Sequence, residues 1–493
     1  MPVADLIVLG AYFLGILGLG AYFLRRNRNT EAFMAAGRAL PGWLCGMSIL
    51  ATYVSSISFL ALPGSAYELN WSRFVFSLSI AFAAWMATRF FVPLYRHRGS
   101  ISAYSYLEDR FGPPARIYAS SFYLLTQLFR MVVVMYLMAL PLSVLLGWPV
   151  WIIICITGAS VALYTIMGGI EAVIWTDAVQ GFVLIGGALL CVILLLVGMP
   201  EGPGQLFAIA FEHQKFSLGE FRFDLAETTF WVILLNGIFI NLQNFGIDQN
   251  YIQRYISSSS EAEAKKAVWI GALLYIPVSL LFFFIGTGLY AYYTAQPHLL
   301  PQDLVADRVF PHFIVTALPP GLSGLMIAAI FAAAMSTVST SLNSLATIFL
   351  ADYYERFFRP TAGEKEKMLA LYGFSIFLGV LATYLAVKMI DVRSALDVWW
   401  TFSSIFSGGM LGLFLLGYFS RRADNRAAII GMSVGLLSIA WMVLSRTEEW
   451  SRLPWIGAYR NPLHDWLVIV VGTAIIFLVA EPGSRLLAGR AKE

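Results

Sequence analysis

Residues 44–71 read LCGMSILATYVSSISFLALPGSAYELNW. The stretch is long enough to cross a bilayer, which requires about 20 residues, yet residues 51–58 are rich in hydroxyl side chains and Pro63-Gly64 follows. Polar side chains are costly against lipid, so this face should point inward. Interrupted helices at membrane depth expose backbone carbonyls that line a cavity. The stretch therefore predicts a broken helix; the alternative is a helix whose small polar residues only pack against neighbours.

The composition of the whole chain places this stretch in a membrane. Hydrophobic residues make up 59% of the 493 residues, charged residues make up 12%, and mean hydropathy is +0.74. Soluble domains are about a quarter charged. A soluble enzyme, a nucleic-acid binder and a disordered chain are therefore excluded. We predict an all-α polytopic membrane protein that resides in a lipid bilayer and binds no nucleic acid.

Thirteen segments are apolar and long enough to be membrane spans, and we number them from zero. They are 4–24, 41–69, 71–95, 117–147, 149–167, 172–199, 227–255, 266–293, 321–356, 368–390, 396–419, 427–445 and 464–481. The loops and tail after the even-numbered spans carry 21 Lys and Arg residues, and the opposite loops carry nine. By the positive-inside rule, we expect the N-terminus outside and the C-terminus in the cytoplasm.

A second span is as polar as the first. Span 6 contains WVILLNGIFINLQNFGIDQNYIQRY at 231–255, with several Asn, Gln and Asp side chains and two glycines. Spans 1 and 6 each open a group of five, and interrupted helices at matching positions are typical of inverted-repeat transporters. We predict a five-plus-five inverted repeat with broken helices 1 and 6. The predicted parts are an additional helix and loop (1–36), a first repeat (37–199), a second repeat (200–419) and two C-terminal helices with a tail (420–493).

Span 8 carries a stripe of small and hydroxyl side chains, FAAAMSTVSTSLNS at 331–344. Ala333, Ser336, Thr337 and Thr340 share one helical face, because they follow one another at i, i+3, i+4 and i+7. Hard cations prefer several oxygen ligands, and hydroxyls that face the free carbonyls of a broken helix supply them without added charge. The pattern predicts a cation site; the alternative is that these hydroxyls bond to their own backbone.

Four stretches together resemble the sodium/solute symporter family, and their pattern is most similar to its sodium/sialic acid branch. They are ATYVSSISFLALPG at 51–64, GGIEAVIWTDAVQG at 168–181, DQNYIQRY at 248–255 and MSTVSTSLNSLATIFLADYY at 335–354. The resemblance runs from about span 0 through span 10. It implies cotransport of a small solute driven by the sodium gradient, with one or two sodium ions as coupling ions and no other cofactor.

The resemblance also implies ion ligands. The family's main sodium site uses two carbonyls of span 1 and three residues of span 8, and the matching positions are Ala51, Val54, Ala333, Ser336 and Thr337. A second sodium described in some sialic acid members matches Asp177, Ser336, Ser339 and Thr340. The alternative for Asp177 is a carboxylate that suits the helix dipole near the start of span 5.

The substrate site is expected around Arg130, which lies deep in span 3. An intramembrane arginine is a functional candidate, its fork suits a carboxylate, and an arginine at the matching position holds the acid group in the sialic acid branch. A salt bridge to another buried acid is the alternative. The other candidate contact residues are Tyr53, Ser55, Ser58, Ser77, Asn241 and Asn244. Tyr53 and Ser77 depart from the sialic acid pattern.

We therefore expect a sodium-coupled symporter, and not an enzyme, that imports an anionic solute by alternating access. As the substrate, we expect sialic acid or a related acidic sugar in preference to a simpler carboxylate. The open alternatives are a neutral sugar, a monocarboxylate or an amino acid as substrate, and more remotely a membrane-embedded enzyme. We expect the protein in the plasma membrane, the inner membrane of a bacterium, where it acts as a monomer.

Overall fold

The computed structural model describes residues 2–302, 304–391, 409–420, 422–452 and 454–490. Within these ranges the regular structure is helical, without a β-strand, and ten helices are long and apolar enough to cross a membrane, or eleven if one bent pair is a single span. The all-α polytopic prediction is confirmed. The helices of the membrane region are α1 (Val3–Phe23), α2 (Gly42–Tyr53), α3 (Ser56–Glu68), α4 (Phe74–Arg98), α5 (Pro113–Leu146), α6 (Val150–Val197), α7 (Phe230–Ile247), α8 (Gln249–Ser257), α9 (Glu261–Ala295), α10 (Leu322–Phe358), α11 (Glu364–Lys388), α12 (Gly409–Phe419), α13 (Asn425–Leu444) and α14 (Asp465–Pro482).

Helix α6 covers two predicted spans, 149–167 and 172–199. Its 48 residues would form a rod about 72 Å long, more than twice the thickness of a bilayer core. The backbone leaves the helical conformation at Gly169, where φ is 56° and ψ is −151°. A Cβ at this glycine would lie 2.8 Å from the Cα of Phe33, so neither the backbone angle nor the space admits a side chain. The break falls within the predicted gap between the two spans.

The predicted span 396–419 falls on described residues only from 409 onward. There the chain forms α12, and the earlier part of this span lies outside the described residues.

The two helices that were predicted to be broken are interrupted. Helices α2 and α3 meet at Val54, whose ψ of 93° ends the first of them, and the axis bends by 57°. Helices α7 and α8 meet at Asp248, whose ψ is 121°. Pro63 and Gly246 lie inside helices instead. In each case the helix on the C-terminal side begins with a capping side chain, Ser55 for α3 and Asp248 for α8.

Helix α10 lies at the centre of the molecule and is buried on all sides over most of its length. The N-terminus of α10 is held by α1, since the buried Asp5 carboxylate accepts hydrogen bonds from the backbone N–H groups of Gly321 (2.6 Å) and Gly324 (2.9 Å) and from Ser323 Oγ (2.9 Å). A carboxylate at a helix N-terminus satisfies donors that have no partner within the helix. Further along α10, its polar stripe lies against the break between α2 and α3, where Ser336 Oγ contacts the Ala51 carbonyl.

Candidate ion and substrate sites

The first predicted ion site is assembled where the end of α2 faces the middle of α10. Ser336 Oγ donates to the Ala51 carbonyl at 2.9 Å and also lies 3.3 Å from the Ala333 carbonyl. Thr337 Oγ1 donates to the same Ala333 carbonyl at 3.2 Å. Val54 follows at the break itself. All five residues are buried, and their oxygens are uncharged, which suits a monovalent hard cation.

The second predicted ion site surrounds Asp177, which is fully buried. Its Oδ2 accepts hydrogen bonds from Ser48 Oγ at 2.6 Å and from Thr340 Oγ1 at 3.3 Å. Its Oδ1 is buried and has no hydrogen-bond partner among the described residues. Ser339 lies on the same helix as Thr340 and donates to the Ser336 carbonyl at 3.2 Å.

The position of Asp177 argues against a helix-cap role. It lies two turns beyond the break at Gly169, inside α6, and the hydrogen-bond donors that its carboxylate meets are side chains from other helices. The dipole of a helix acts within its first turn. A role for this carboxylate in ion binding remains a prediction.

The structure adds a residue that sequence reasoning missed. Arg254 on α8 was counted among the basic residues that set the topology, yet its side chain is fully buried and its Nη2 lies 2.9 Å from Asp177 Oδ2. The same Nη2 donates to Thr340 Oγ1 at 2.5 Å, and Nε donates to Ser48 Oγ at 3.0 Å. The available signal was the position of Arg254 inside the motif at 248–255, where it lies among polar residues near the end of a span.

A cavity of about 400 Å³ opens beside the first ion site. Six of the seven predicted substrate residues line it, namely Tyr53, Ser55, Ser58, Ser77, Arg130 and Asn244. Further lining residues that were not predicted include Arg73, Asn236, Gln243, Tyr251, Tyr275, Asp465 and Trp466. The cavity is therefore bounded by both broken helices, by α5 and by the C-terminal helix α14.

Asn241 is the predicted substrate residue that does not line this cavity. It is fully buried behind the wall, where its Oδ1 accepts a hydrogen bond from the Tyr53 hydroxyl and its Nδ2 donates to Ser79 Oγ at 2.9 Å. The Tyr53 ring also packs on Tyr275, with ring centroids 4.3 Å apart. Asn241 therefore positions Tyr53, and Tyr53 faces the cavity.

Arg130 lies in the cavity wall, where it interacts with the buried Asp248 and the Tyr251 hydroxyl but forms no close ion pair with a described acid. Its Nη2 lies 3.4 Å from the Thr52 carbonyl, and among the described residues no carboxylate forms an ion pair with it. The predicted alternative, a salt bridge to another buried acid, is thus not found in the described part of the chain. A guanidinium with unused donors that faces a cavity can bind the carboxylate of a solute through two parallel hydrogen bonds.

Comparisons with known proteins identify the family of this chain. The model of the sodium:solute symporter family matches residues 33–435. The chain is 34% identical over 437 residues to the sodium/sialic acid symporter SiaT of Proteus mirabilis, with 88% of each chain covered. It is 30% identical over 448 residues to sodium-coupled monocarboxylate transporter 2 of Mus musculus, covering 89% of this chain and 72% of that protein.

A solved structure extends the similarity to three dimensions. The substrate-bound outward-open state of a Na⁺-coupled sialic acid symporter superposes with a TM-score of 0.90 at 31% sequence identity, and the match covers 98% of each chain. These proteins are transporters, and the same holds for the family as a whole. On the family match, the identity and the shared fold, the chain belongs to the sodium:solute symporter family.

Proposed function

We propose that this protein imports an acidic solute, sialic acid or a related acidic sugar, together with sodium by alternating access. The observation that carries the proposal is Arg130, a guanidinium that lines the cavity and forms no ion pair with a described acidic residue. An intramembrane arginine is costly unless its charge is balanced. The buried Asp248 interacts with Arg130 without forming an ion pair, so a bound anion would complete the site. The sialic acid symporters among the relatives support the same class of solute.

In this proposal the solute carboxylate binds Arg130 and the remaining polar groups bind neutral side chains. Ser55, Ser58 and Asn244 line the same cavity and can hydrogen-bond to sugar hydroxyls. Ser77 is already bonded to Ser279, with 2.7 Å between the two Oγ atoms, so only part of the hydrogen-bonding capacity of its hydroxyl remains for a solute. Asn241 acts through Tyr53, because its Oδ1 accepts a hydrogen bond from the Tyr53 hydroxyl.

Two sodium ions are proposed as coupling ions. The first binds the carbonyls of Ala51, Val54 and Ala333 and the hydroxyls of Ser336 and Thr337. The second binds Asp177 with the oxygens of Ser336, Ser339 and Thr340. Sodium at the first site braces the broken helix against α10 and favours the outward-open state, and loss of sodium inward releases the solute. Each ligand must then bind more tightly when the other is present.

The proposed architecture has thirteen spans. This count is supported when α2 with α3 and α7 with α8 are each counted as one span, α6 is counted as two spans separated at Gly169, and α12 is counted as the described part of span 396–419. Residues 37–199 and 200–419 form the inverted repeats, and 1–36 and 420–493 are additions. We place the N-terminus outside, the C-terminus in the cytoplasm and the protein, as a monomer, in the inner membrane of a bacterium.

Uptake in proteoliposomes tests the proposal. Radiolabelled sialic acid should accumulate when sodium is high outside, and should not accumulate when choline or potassium replaces sodium. A parallel thermal-shift panel of sialic acids, neutral sugars, amino acids and monocarboxylates, each with sodium, identifies the solute. Sialic acid uptake that is indifferent to sodium, or a panel in which neutral sugars alone stabilise the protein, would contradict the proposal.

A smaller monocarboxylate is the second candidate, and Tyr53 favours it. This tyrosine replaces a small hydroxyl residue of the sialic acid pattern, and its ring stands in the cavity wall against Tyr275. A narrower site would exclude a large sugar acid and still present Arg130 to a carboxylate. In the same panel, stabilisation by short monocarboxylates and none by sialic acids would select this candidate.

A further inference from the structure

Asp177 and Arg254 form an ion pair in the interior of the molecule that the transport cycle proposed above does not use. Both side chains are fully buried, and they belong to α6 and α8. Burying two charges is expensive, and a pair of this kind is not by itself a stabilising device. Its place beside the proposed second sodium site therefore invites a functional explanation.

The guanidinium uses the same groups that the second sodium ion would need. Nη2 of Arg254 is bonded both to Asp177 Oδ2 and to Thr340 Oγ1, which are two of the four residues proposed for the second ion. The other carboxylate oxygen, Asp177 Oδ1, is buried without a hydrogen-bond partner among the described residues. The Arg254 guanidinium therefore occupies Oδ2 of this carboxylate, and Oδ1 is left for a second cation.

The charge balance makes the two cations antagonists. The Asp177–Arg254 pair is neutral, so a sodium ion at Asp177 gives these three groups one net positive charge, which the buried Asp248 carboxylate near Arg254 offsets only in part. Two unit positive charges a few ångströms apart repel each other strongly in an interior of low dielectric. The Arg254 guanidinium therefore repels a sodium ion at this site. When sodium is bound, the contact between Arg254 and Asp177 is weakened in turn.

Arg254 has other acceptors to hold it when this contact weakens. Its Nη1 donates to the Asn250 carbonyl at 2.6 Å, within its own helix, and its Nε donates to Ser48 Oγ at 3.0 Å. The side chain can thus yield Asp177 to an ion and still keep hydrogen-bond partners.

We propose that Arg254 is a resident cation that competes with sodium for Asp177 and Thr340, lowers the sodium affinity of the second site and so promotes release of the ion. The inference rests on the second sodium site of the proposed function. It assigns to Arg254 a positioning role, since the residue acts on the ion through Asp177.

The experiment measures sodium binding without solute in the purified full-length chain. Thr337→Val is introduced to weaken the first site, and sodium is titrated against potassium at constant ionic strength. The readouts are thermal stability and binding of ²²Na⁺. In this background Arg254→Gln should raise the apparent sodium affinity by about ten-fold or more, because one repelling charge is removed. It should also make stability depend on sodium, which becomes the sole counter-charge of Asp177.

A matched control is Arg96→Gln. Arg96 donates to the Ile256 and Ser258 carbonyls at 3.0 and 2.9 Å, at the end of the same helix α8, but it does not contact Asp177. Its loss should leave sodium affinity unchanged. Arg254→Lys keeps a positive charge in the core but loses the fork that reaches several acceptors, so its sodium affinity should fall between those of the unsubstituted protein and Arg254→Gln. This variant provides the comparison if the glutamine variant does not fold.

The outcomes separate the two proposals. The role of Arg254 is overturned if Arg254→Gln leaves the sodium affinity unchanged. It is also overturned if Arg254→Lys binds sodium no more tightly than the unsubstituted protein. The double variant Arg254→Gln with Asp177→Asn should lose the gained affinity. If it binds sodium as tightly as Arg254→Gln alone, no ion is held by Asp177, and the second site itself is wrong.

Discussion

At the scale of single residues, two arginines inside the helix bundle stand in opposite situations. Arg254 is fully buried and neutralised by Asp177. Arg130 is half-buried, faces the cavity and lies 3.4 Å from the Thr52 carbonyl, and it also interacts with the Tyr251 hydroxyl and, without forming an ion pair, with the buried Asp248. A buried arginine in a close ion pair belongs to the protein's own charge balance, whereas a guanidinium that faces a cavity without a close ion pair can bind a charged ligand.

Arg130→Gln should therefore weaken binding of the acidic solute by about 100-fold, because a bidentate charge-assisted contact is worth about 3 kcal/mol. Arg130→Lys should recover part of this loss, since it restores the charge without the fork. Calorimetry or thermal shift with sialic acid in sodium buffer measures both. Arg89→Gln is the matched control, because Arg89 lies in the neighbouring span on an exposed face. Equal affinity in Arg130→Gln and the unsubstituted protein would remove Arg130 from the site.

Ser336→Ala should raise the sodium concentration that half-saturates uptake by about ten-fold, because one oxygen ligand near the Ala51 carbonyl is lost. The measurement is uptake as a function of sodium at fixed solute. Ser438→Ala provides the control, since the Ser438 hydroxyl is bonded to the Val434 carbonyl of its own helix at 2.8 Å and lies outside the site. An unchanged sodium requirement in Ser336→Ala would exclude this hydroxyl as a ligand.

Residue patterns predicted the hydroxyls that lie beside the Ala51 carbonyl and six residues of the cavity wall, most of them on helices of unusual polarity. The sequence did not predict the contacts of Arg254 or the place of Asn241 behind the cavity wall, and the reason is physical. A basic residue near the end of a span looks like a topology signal until its partner is known, and that partner, Asp177, is 77 positions away. Whether Asn241 faces the cavity or supports Tyr53 depends on how α2 and α7 pack, which periodicity does not encode.

At the scale of helices, the two interruptions place polar backbone at the centre of an apolar molecule. The hydroxyl-rich pattern of residues 51–58 predicted the first interruption, and the structure locates it at Val54. The second lies at Asp248 and not at the nearby Gly246. Glycine was a misleading signal here, since a Cβ at Gly246 would lie 3.0 Å from the Phe91 ring and the residue serves close packing. The gap between the predicted spans 149–167 and 172–199 contains the break at Gly169, where the glycine has a positive φ.

The junction between α1 and α10 yields a prediction for an element. Asp5→Ala removes the acceptor of two backbone N–H groups and a hydroxyl at the start of α10, and leaves them buried, so it should lower the free energy of unfolding by about 2 kcal/mol. Thermal unfolding in detergent measures the loss. Asp424→Ala is the control, because Asp424 caps α13 at an exposed position and its loss should cost about half as much. If Asp5→Ala is as thermally stable as the unsubstituted protein, the structural role of this cap is contradicted.

At the scale of the whole molecule, the cavity crosses the predicted boundaries of the chain. Residues 420–493 were predicted as an addition outside the two repeats, yet Asp465, Trp466 and Ile469 of α14 line the cavity. The guanidinium of Arg73 lies 5.9 Å from the Trp466 ring, so this helix also borders one end of the cavity. Span lengths and charge counts predict how many times a chain crosses the membrane, but they do not predict which helices, distant in sequence, pack against one another.

The proposed stoichiometry determines how the whole transporter responds to voltage. Two sodium ions and one carboxylate carry one net positive charge inward, so 100 mV, negative inside, adds about 2.3 kcal/mol of driving force, or about a 50-fold higher accumulation. Uptake into proteoliposomes with a potassium gradient and valinomycin measures this effect. Uptake without valinomycin at the same sodium gradient is the control. Sodium-dependent uptake that ignores the potential would indicate a single sodium ion and would contradict the second site.

The central position of α10 has a consequence for mutational tolerance. Because nearly every side chain from Met326 to Ile348 is buried, this helix has almost no lipid-facing position at which a change of size is harmless. Helices α1 and α11 instead expose large hydrophobic side chains such as Leu14, Leu369 and Val380. A saturation library should therefore accept many apolar replacements at these exposed positions and few along α10, and sequence drift among functional variants should be concentrated on the periphery.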